Sequence, residues 1–203
     1  LGVDYLDTLL LHRPDALMDP AEVAEAWLRL KLSGKVRHLG VSNMHSGQMA
    51  LLQRELADPI LINQLEMSLL KHDWIDDGTC FNDDQGKGAR QWGETLEYCR
   101  LHDIQLQAWG SLGKGWFSGA APQDAPASVH ATASLVKKLA HQYDVPTESL
   151  VLAWLLMHPA RIQPVIGTSH PERIRACKEA ENVPLSRGDW YQLYVTMRGR
   201  ELP

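Results

Sequence analysis

Chemistry-bearing residues in this chain stand at the ends of short apolar runs. His12 closes the run Leu6–His12, Ser42 and Asn43 close Val36–Ser42, and Gln64 lies inside Ile60–Glu66. A histidine there can donate a hydrogen bond to a carbonyl oxygen on which negative charge grows, and its neutral tautomer would orient that oxygen rather than protonate it. Ser42, Asn43 and Gln64 supply short polar groups of the kind that fix a planar amide, although turn capping also explains Ser42 and Asn43 singly. Gln64 follows Ile60-Leu61-Ile62-Asn63, where an amide without a partner is costly. Trp109 ends the run Ile104–Trp109 and can stack on a flat ring or pack in the core.

Two further groups point to phosphate. Gly110-Ser111-Leu112-Gly113-Lys114-Gly115 is a glycine-rich stretch in which backbone N–H groups can approach an anion and Lys114 adds charge. Ser169 reads as a helix N-cap and Arg173 falls in the first turn behind it, so dipole and guanidinium both favour a phosphate monoester. His72, Asp73, Trp74, Asp76 and Asp77 crowd one loop, read as a solvated loop rather than a metal site because ligands must converge and nothing else points there.

These residues need elements to hold them. Five apolar runs read as buried strands: Leu6–His12, Val36–Ser42, Ile60–Glu66, Ile104–Trp109 and Ile162–Gly167. Helix signals alternate with them. Asp19-Pro20-Ala21-Glu22 caps a helix with Val23, Trp27 and Leu30 inward, stopped by Ser33-Gly34. Ser46 caps a second with Met49, Leu52 and Leu56; Trp92, Leu96 and Cys99 mark a third. Leu135, Val136, Leu139 and Tyr143 form a stripe, and Thr147 caps the helix of Leu150, Ala153, Trp154 and Met157. Ser169-His170-Pro171-Glu172 opens a helix with Ile174 and Cys177 inward, and Ser186 opens the one carrying Trp190, Leu193, Tyr194 and Met197. Met67–Gly88 and Gly110–Ala131 read as long irregular stretches after strands, the usual place for a site in such proteins. Alternation with short connections implies a parallel sheet, doubly wound or closed into a barrel.

Composition narrows the class. A 203-residue chain with 44% hydrophobic and 22% charged residues is expected to form one globular domain. A net charge of -5 gives no basic field for nucleic acid or an anionic membrane, so a small-molecule partner is expected. Cys80, Cys99 and Cys177 are odd in number and widely spaced, which suggests neither a disulfide framework nor zinc and fits a reducing cytoplasm. No run approaches the ~20 apolar residues of a membrane span. The start at Leu1, directly into a strand-like run, is read as the loss of an upstream portion.

Taken in order, the strand ends resemble the aldo-keto reductase family. Leu9-Leu10-Leu11-His12-Arg13-Pro14 is similar to its active-site histidine strand, and Gly34 to Asn43 to the segment ending on its Ser-Asn pair. Asn63-Gln64-Leu65-Glu66 and Pro164-Val165-Ile166-Gly167-Thr168-Ser169, with Pro171 to Ile174, resemble its next landmarks. The resemblance implies an α/β fold, a TIM-type (β/α)8 barrel of which these would be strands four to eight, with the first three absent; a whole barrel typically takes ~250 residues. It implies an NADP cofactor, reduction of aldehydes or ketones, His12 as the catalytic residue, and a fragment inactive alone, since the family's catalytic Asp, Tyr and Lys lie upstream. It gives the carboxamide of the nicotinamide to Ser42, Asn43 and Gln64, the ring to Trp109, the pyrophosphate to Gly110, Leu112 and Lys114, and the 2′-phosphate to Thr168, Ser169 and Arg173. Thr168 stands where many members place lysine, and Ala176-Cys177 where Glu-Asn is common. Two other readings stand beside it: a non-catalytic cofactor-binding or regulatory protein on the same fold, and another TIM-barrel enzyme whose substrate phosphate meets Ser169 and Arg173. The last leaves Gln64 and Trp109 unexplained. Natural substrate and oligomeric state are open.

Overall fold

Asp19 accepts a hydrogen bond from the Ala21 N–H, and Pro20 needs no N–H partner in a first turn, so α1 (Pro20–Leu32) begins where the sequence placed it. Ser33 and Gly34 then end it, Gly34 at φ 70°. The structure, a computed structural model, describes residues 2–80 and 94–203. Trp92 of the third helix stripe and positions 81–88 of the first long stretch lie outside the described residues.

The chain divides into two compact units, residues 1–65 with 92–107 and residues 66–91 with 108–203. One five-stranded sheet has the order β1 (Leu6–Leu11), β2 (Val36–Ser42), β3 (Ile62–Glu66), β4 (Gln105–Trp109), β5 (Gln163–Pro164). In the first unit β1 (Leu6–Leu11) pairs parallel with β2 (Val36–Ser42), Leu6 opposite Val36 and Leu11 opposite Val41. β2 in turn pairs parallel with β3 (Ile62–Glu66), Ser42 opposite Gln64. β4 (Gln105–Trp109) follows, the Gln105 N–H bonding the Leu61 carbonyl. α1, α2 (Ser46–Gln53) and α4 (Thr95–Leu101) supply Trp27, Met49, Leu52 and Cys99 to a core with Val36, Leu39, Val41, Ile60 and Leu106. Burial pushes the Cys99 thiol up to about 12, so it behaves as a small hydrophobe.

Gly40 is required where β2 passes between its neighbours. A Cβ there would sit 2.4 Å from Leu10 Cδ2 and 3.0 Å from the Ile62 carbonyl oxygen. Gly40→Ala should therefore destabilise the protein by about 1–3 kcal/mol, read as a lower urea midpoint with an unchanged slope. An unchanged midpoint would mean that the strands separate without penalty.

The second unit is mainly helical. α5 (Ala127–Tyr143), α6 (Thr147–Leu156) and α8 (Arg187–Arg198) pack together, and α6 is buried on every side from Ser149 to Leu155. Trp154 and Trp190 stack with ring centres 5.1 Å apart, and each indole N–H bonds the other residue's carbonyl. α7 (Pro171–Lys178) packs on α6, Ser149 Oγ donating to the Ala176 carbonyl.

Several expectations are corrected. The run Ile162–Gly167 yields only a two-residue β5, Gln163–Pro164, since proline offers no N–H to a ladder; the Val165 N–H still bonds Ala108. The first long stretch contains α3 (Asp73–Thr79), and the second a 3-10 turn at Gly113–Ser118 before α5 starts at Ala127. α2 is capped by His45, whose Nδ1 accepts from the Gln48 N–H while the Gln48 side chain accepts from the His45 N–H. Pro146, not Thr147, precedes α6, and His170, not Ser169, precedes α7, neither with a side-chain cap. Ile174 faces outward at 43% exposure, as does Tyr191 at 51%, because each points away from the apolar stripe of its helix.

Candidate active site

β1 delivers His12 one residue beyond its last pairing, with the side chain exposed. The neighbouring strand ends beside it. Asn43 Nδ2 donates to the His12 carbonyl at 3.1 Å and lies 2.8 Å from Ser42 Oγ. Ser42 Oγ donates to the Gln64 carbonyl at 2.8 Å, and the Asn43 N–H bonds the same carbonyl at 3.0 Å. His12, Ser42, Asn43 and Gln64 thus form one connected cluster at the exits of three adjacent strands. Asn43 holds φ 58°, a left-handed conformation asparagine tolerates because its side chain bonds locally.

Sequence reasoning missed two members of this cluster. Gln107 Oε1 accepts from Gln64 Nε2 at 2.9 Å, so the Gln64 amide has a protein partner and need not await a ligand. Asn63, fully buried, donates through Nδ2 to the Met44 carbonyl at 2.8 Å. The signal for Gln107 was present as the polar alternation of Gln105, Gln107 and Trp109 along β4; Asn63 carried only its polarity inside an apolar run.

In the second unit, Trp109 is half-buried and its carbonyl accepts from the Met67 N–H. Gly110 follows at φ 64° against Glu66, whose Cγ lies 3.6 Å from where a Cβ would stand. The glycine-rich stretch is wound tightly: Gly113, Lys114 and Gly115 all have positive φ, and the Gly113 and Gly115 N–H groups bond the Gly110 and Leu112 carbonyls. Those two N–H groups are therefore committed within the turn, and its glycines serve the backbone shape. Leu112 packs on Leu152, Cys177 and Ala180, so its side chain is structural. Lys114 is exposed, with Nζ 5.3 Å from the centre of the Trp116 ring.

The segment leading to Ser169 and Arg173 packs beside this turn. Ser111 Oγ donates to the Val165 carbonyl at 3.0 Å, and Ile166 packs on the same Leu152, Cys177 and Ala180 cluster as Leu112. Thr168 Oγ1 accepts from the His170 N–H, which fixes the approach to α7, while Ser169 and Arg173 are exposed at its start. Ser169 sits one residue ahead of the cap position it was expected to hold. The crowded residues do not form a solvated loop: His72 precedes α3 and the rest lie in it, Trp74 is 1% exposed, and half-buried Asp76 accepts from Tyr194 and pairs with Arg198.

The described residues contain no helix long and apolar enough to cross a membrane. Comparison with known proteins is consistent in every direction. The chain is 35% identical over 203 residues to a 6-dehydroglucose reductase of Agrobacterium fabrum and 34% over 209 residues to the oxidoreductase YdhF of Escherichia coli. It is aligned in full with both but spans only 60% and 61% of their lengths. An aldo/keto reductase of Klebsiella pneumoniae, solved with NADP and acetate, superposes with a TM-score of 0.69 at 24% identity over 94% of this chain and 58% of that one. A thermostable aldo-keto reductase solved with the inhibitor epalrestat gives 0.72 at 20% identity, over 95% and 60%. These likenesses assign the α/β barrel fold of such enzymes. The family model for the aldo/keto reductases matches residues 1–194, and the chain belongs to the aldo/keto reductase family.

Proposed function

We propose that this protein serves NADPH-dependent reduction of aldehydes or ketones to alcohols, with His12 directed at the substrate carbonyl. The observation that carries the reading is the connected cluster at the exits of β1, β2 and β3, where the Asn43 amide reaches both the His12 backbone and Ser42. Each unit, taken by itself, offers groups of the right kind: Ser42, Asn43 and Gln64 in the first for a carboxamide, and in the second a half-buried indole at Trp109 with exposed Lys114 and Arg173 for phosphates. When bound, the nicotinamide supplies the hydride. Within the first unit Ser42, Asn43 and Gln64 would orient the ring, and His12 would donate to the carbonyl oxygen as charge develops there. The three cysteines, free and buried, accord with a reducing cytoplasm, and the partner is a small carbonyl compound.

Arg173 tests the choice of cofactor. Only NADPH carries the 2′-phosphate, so Arg173→Ala should weaken NADPH binding by about 1.5–3 kcal/mol while leaving NADH nearly unchanged. Quenching of tryptophan fluorescence on titration measures both. Equal losses for the two cofactors would show that Arg173 does not read that phosphate, and no binding of either would remove the cofactor from the proposal.

A further inference from the structure

We propose that Asn63 is a positioning residue for the nicotinamide end of the site, acting through the turn that carries Ser42 and Asn43. The inference rests on the cofactor reading above and adds to it the residue that holds the turn in place. Asn63 is 0% exposed on β3, one position before Gln64, so the two side chains leave opposite faces of the strand. A leucine has the same branched shape, is bulkier, and would avoid the cost of a buried amide. That cost is real here, because Asn63 Oδ1 has no hydrogen-bond partner. What the amide does provide is one good bond, Nδ2 to the Met44 carbonyl at 2.8 Å; its other contact, to Cys99 Sγ at 3.9 Å, is long and weak.

Met44 immediately follows Asn43, whose left-handed backbone at φ 58° is one that asparagine tolerates but does not require. Two consecutive residues of β3 enforce it. Gln64 holds the turn from one side through its carbonyl, which takes both the Asn43 N–H and Ser42 Oγ. Asn63 holds it from the other side through the Met44 carbonyl. Releasing Met44 leaves Asn43 free to relax toward an ordinary conformation, which would turn its side chain away from the carboxamide position.

The test compares NADPH with 2′-phospho-ADP-ribose, which keeps the pyrophosphate and the 2′-phosphate and lacks the nicotinamide. Binding of each to the wild-type chain, Asn63→Leu and the near-isosteric Asn63→Asp is followed by titration, and exchange of the Asn43 amide proton by NMR. Losing one buried hydrogen bond should weaken NADPH binding about 10-fold in both variants while 2′-phospho-ADP-ribose stays within about twofold. Faster exchange at Asn43 should accompany it. Equal weakening of both probes would show that Asn63 supports only the fold, and unchanged NADPH binding would show that the turn holds without it; either overturns the inference. If Asn63→Leu does not fold, Asn63→Asp decides alone. A wild-type chain that binds the two probes equally tightly would instead overturn the nicotinamide reading itself, and this inference with it.

Discussion

Assayed alone with NADPH and 4-nitrobenzaldehyde, the 203-residue chain should oxidise the cofactor no faster than its His12→Ala variant. His12 can polarise a carbonyl, but reduction also needs a proton source at the oxygen, and a positioned general acid contributes roughly 10²–10⁴ in rate. Each of the five tyrosines is engaged elsewhere. Tyr5 lies under the Arg37 guanidinium at the start of β1, the end of the strand opposite His12. Tyr98 packs on His102 in α4, and burial pushes its phenol up, the wrong direction for an acid near neutrality. Tyr143 donates to Asp189 at 2.6 Å, and Tyr191 sits edge-on to Trp190. Tyr194 is fully buried, with its hydroxyl on Asp76; burial first, and the carboxylate second, hold its phenol well above the usual range. Oxidation of NADPH at 340 nm that is rapid and disappears in His12→Ala would show that one of these residues supplies the proton after all.

The largest stability effect is expected at Asp76. Its carboxylate accepts from the Tyr194 hydroxyl, lies 3.3 Å from Arg198 Nε and 3.2 Å from His72 Nδ1. The Arg198 side chain is 2% exposed and also reaches Cys80 Sγ at 2.7 Å. Asp76→Ala would leave that guanidinium buried without its counter-charge, a change that typically costs 3–5 kcal/mol, and on the order of 10 °C in melting temperature for a chain of this size. Replacing both partners, as in Asp76→Leu with Arg198→Met, should recover much of the loss, because the charge to be desolvated is then gone. Failure of the double variant to improve on Asp76→Ala would place the cost in packing rather than charge.

The same group predicts an acid limb. Burial, the largest influence on Asp76, pushes its carboxyl up, but hydrogen bonds from His72 and Tyr194 and the charges of His72 and Arg198 together hold it below the ordinary value. A depressed carboxyl contributes its stabilisation in full above the unfolded pKa of about 4 and loses it as pH falls through the lower folded value. Urea midpoints of the wild type should therefore fall between pH 5 and pH 2 more steeply than those of the double variant, which has no carboxylate there to protonate.

The order of the strands, and of every helix except α3, was legible in the amino-acid sequence, as were the polar residues at strand exits. These depend on local features: apolar runs of strand length, the Asp19-Pro20 helix start, and side chains such as His12, Ser42 and Asn43 that stand where a strand must end. Val36–Ser42 was legible to the residue because polar Lys35 and Asn43 flank it, whereas Ile162–Gly167 was not, since apolar character cannot show that Pro164 interrupts the ladder. Caps were displaced by one position at α2, α6 and α7, because a cap is decided by which backbone N–H the chain path presents, and histidine could take the place a serine was expected to fill. The pairings between distant residues emerge only in the folded chain. Gln64 with Gln107, Asn63 with Met44, and Asp76 with Tyr194 and Arg198 join positions whose separation along the chain carries no periodic signal. Each involves a buried or half-buried polar group, and its partner is set by strand register and helix packing rather than by its neighbours in sequence.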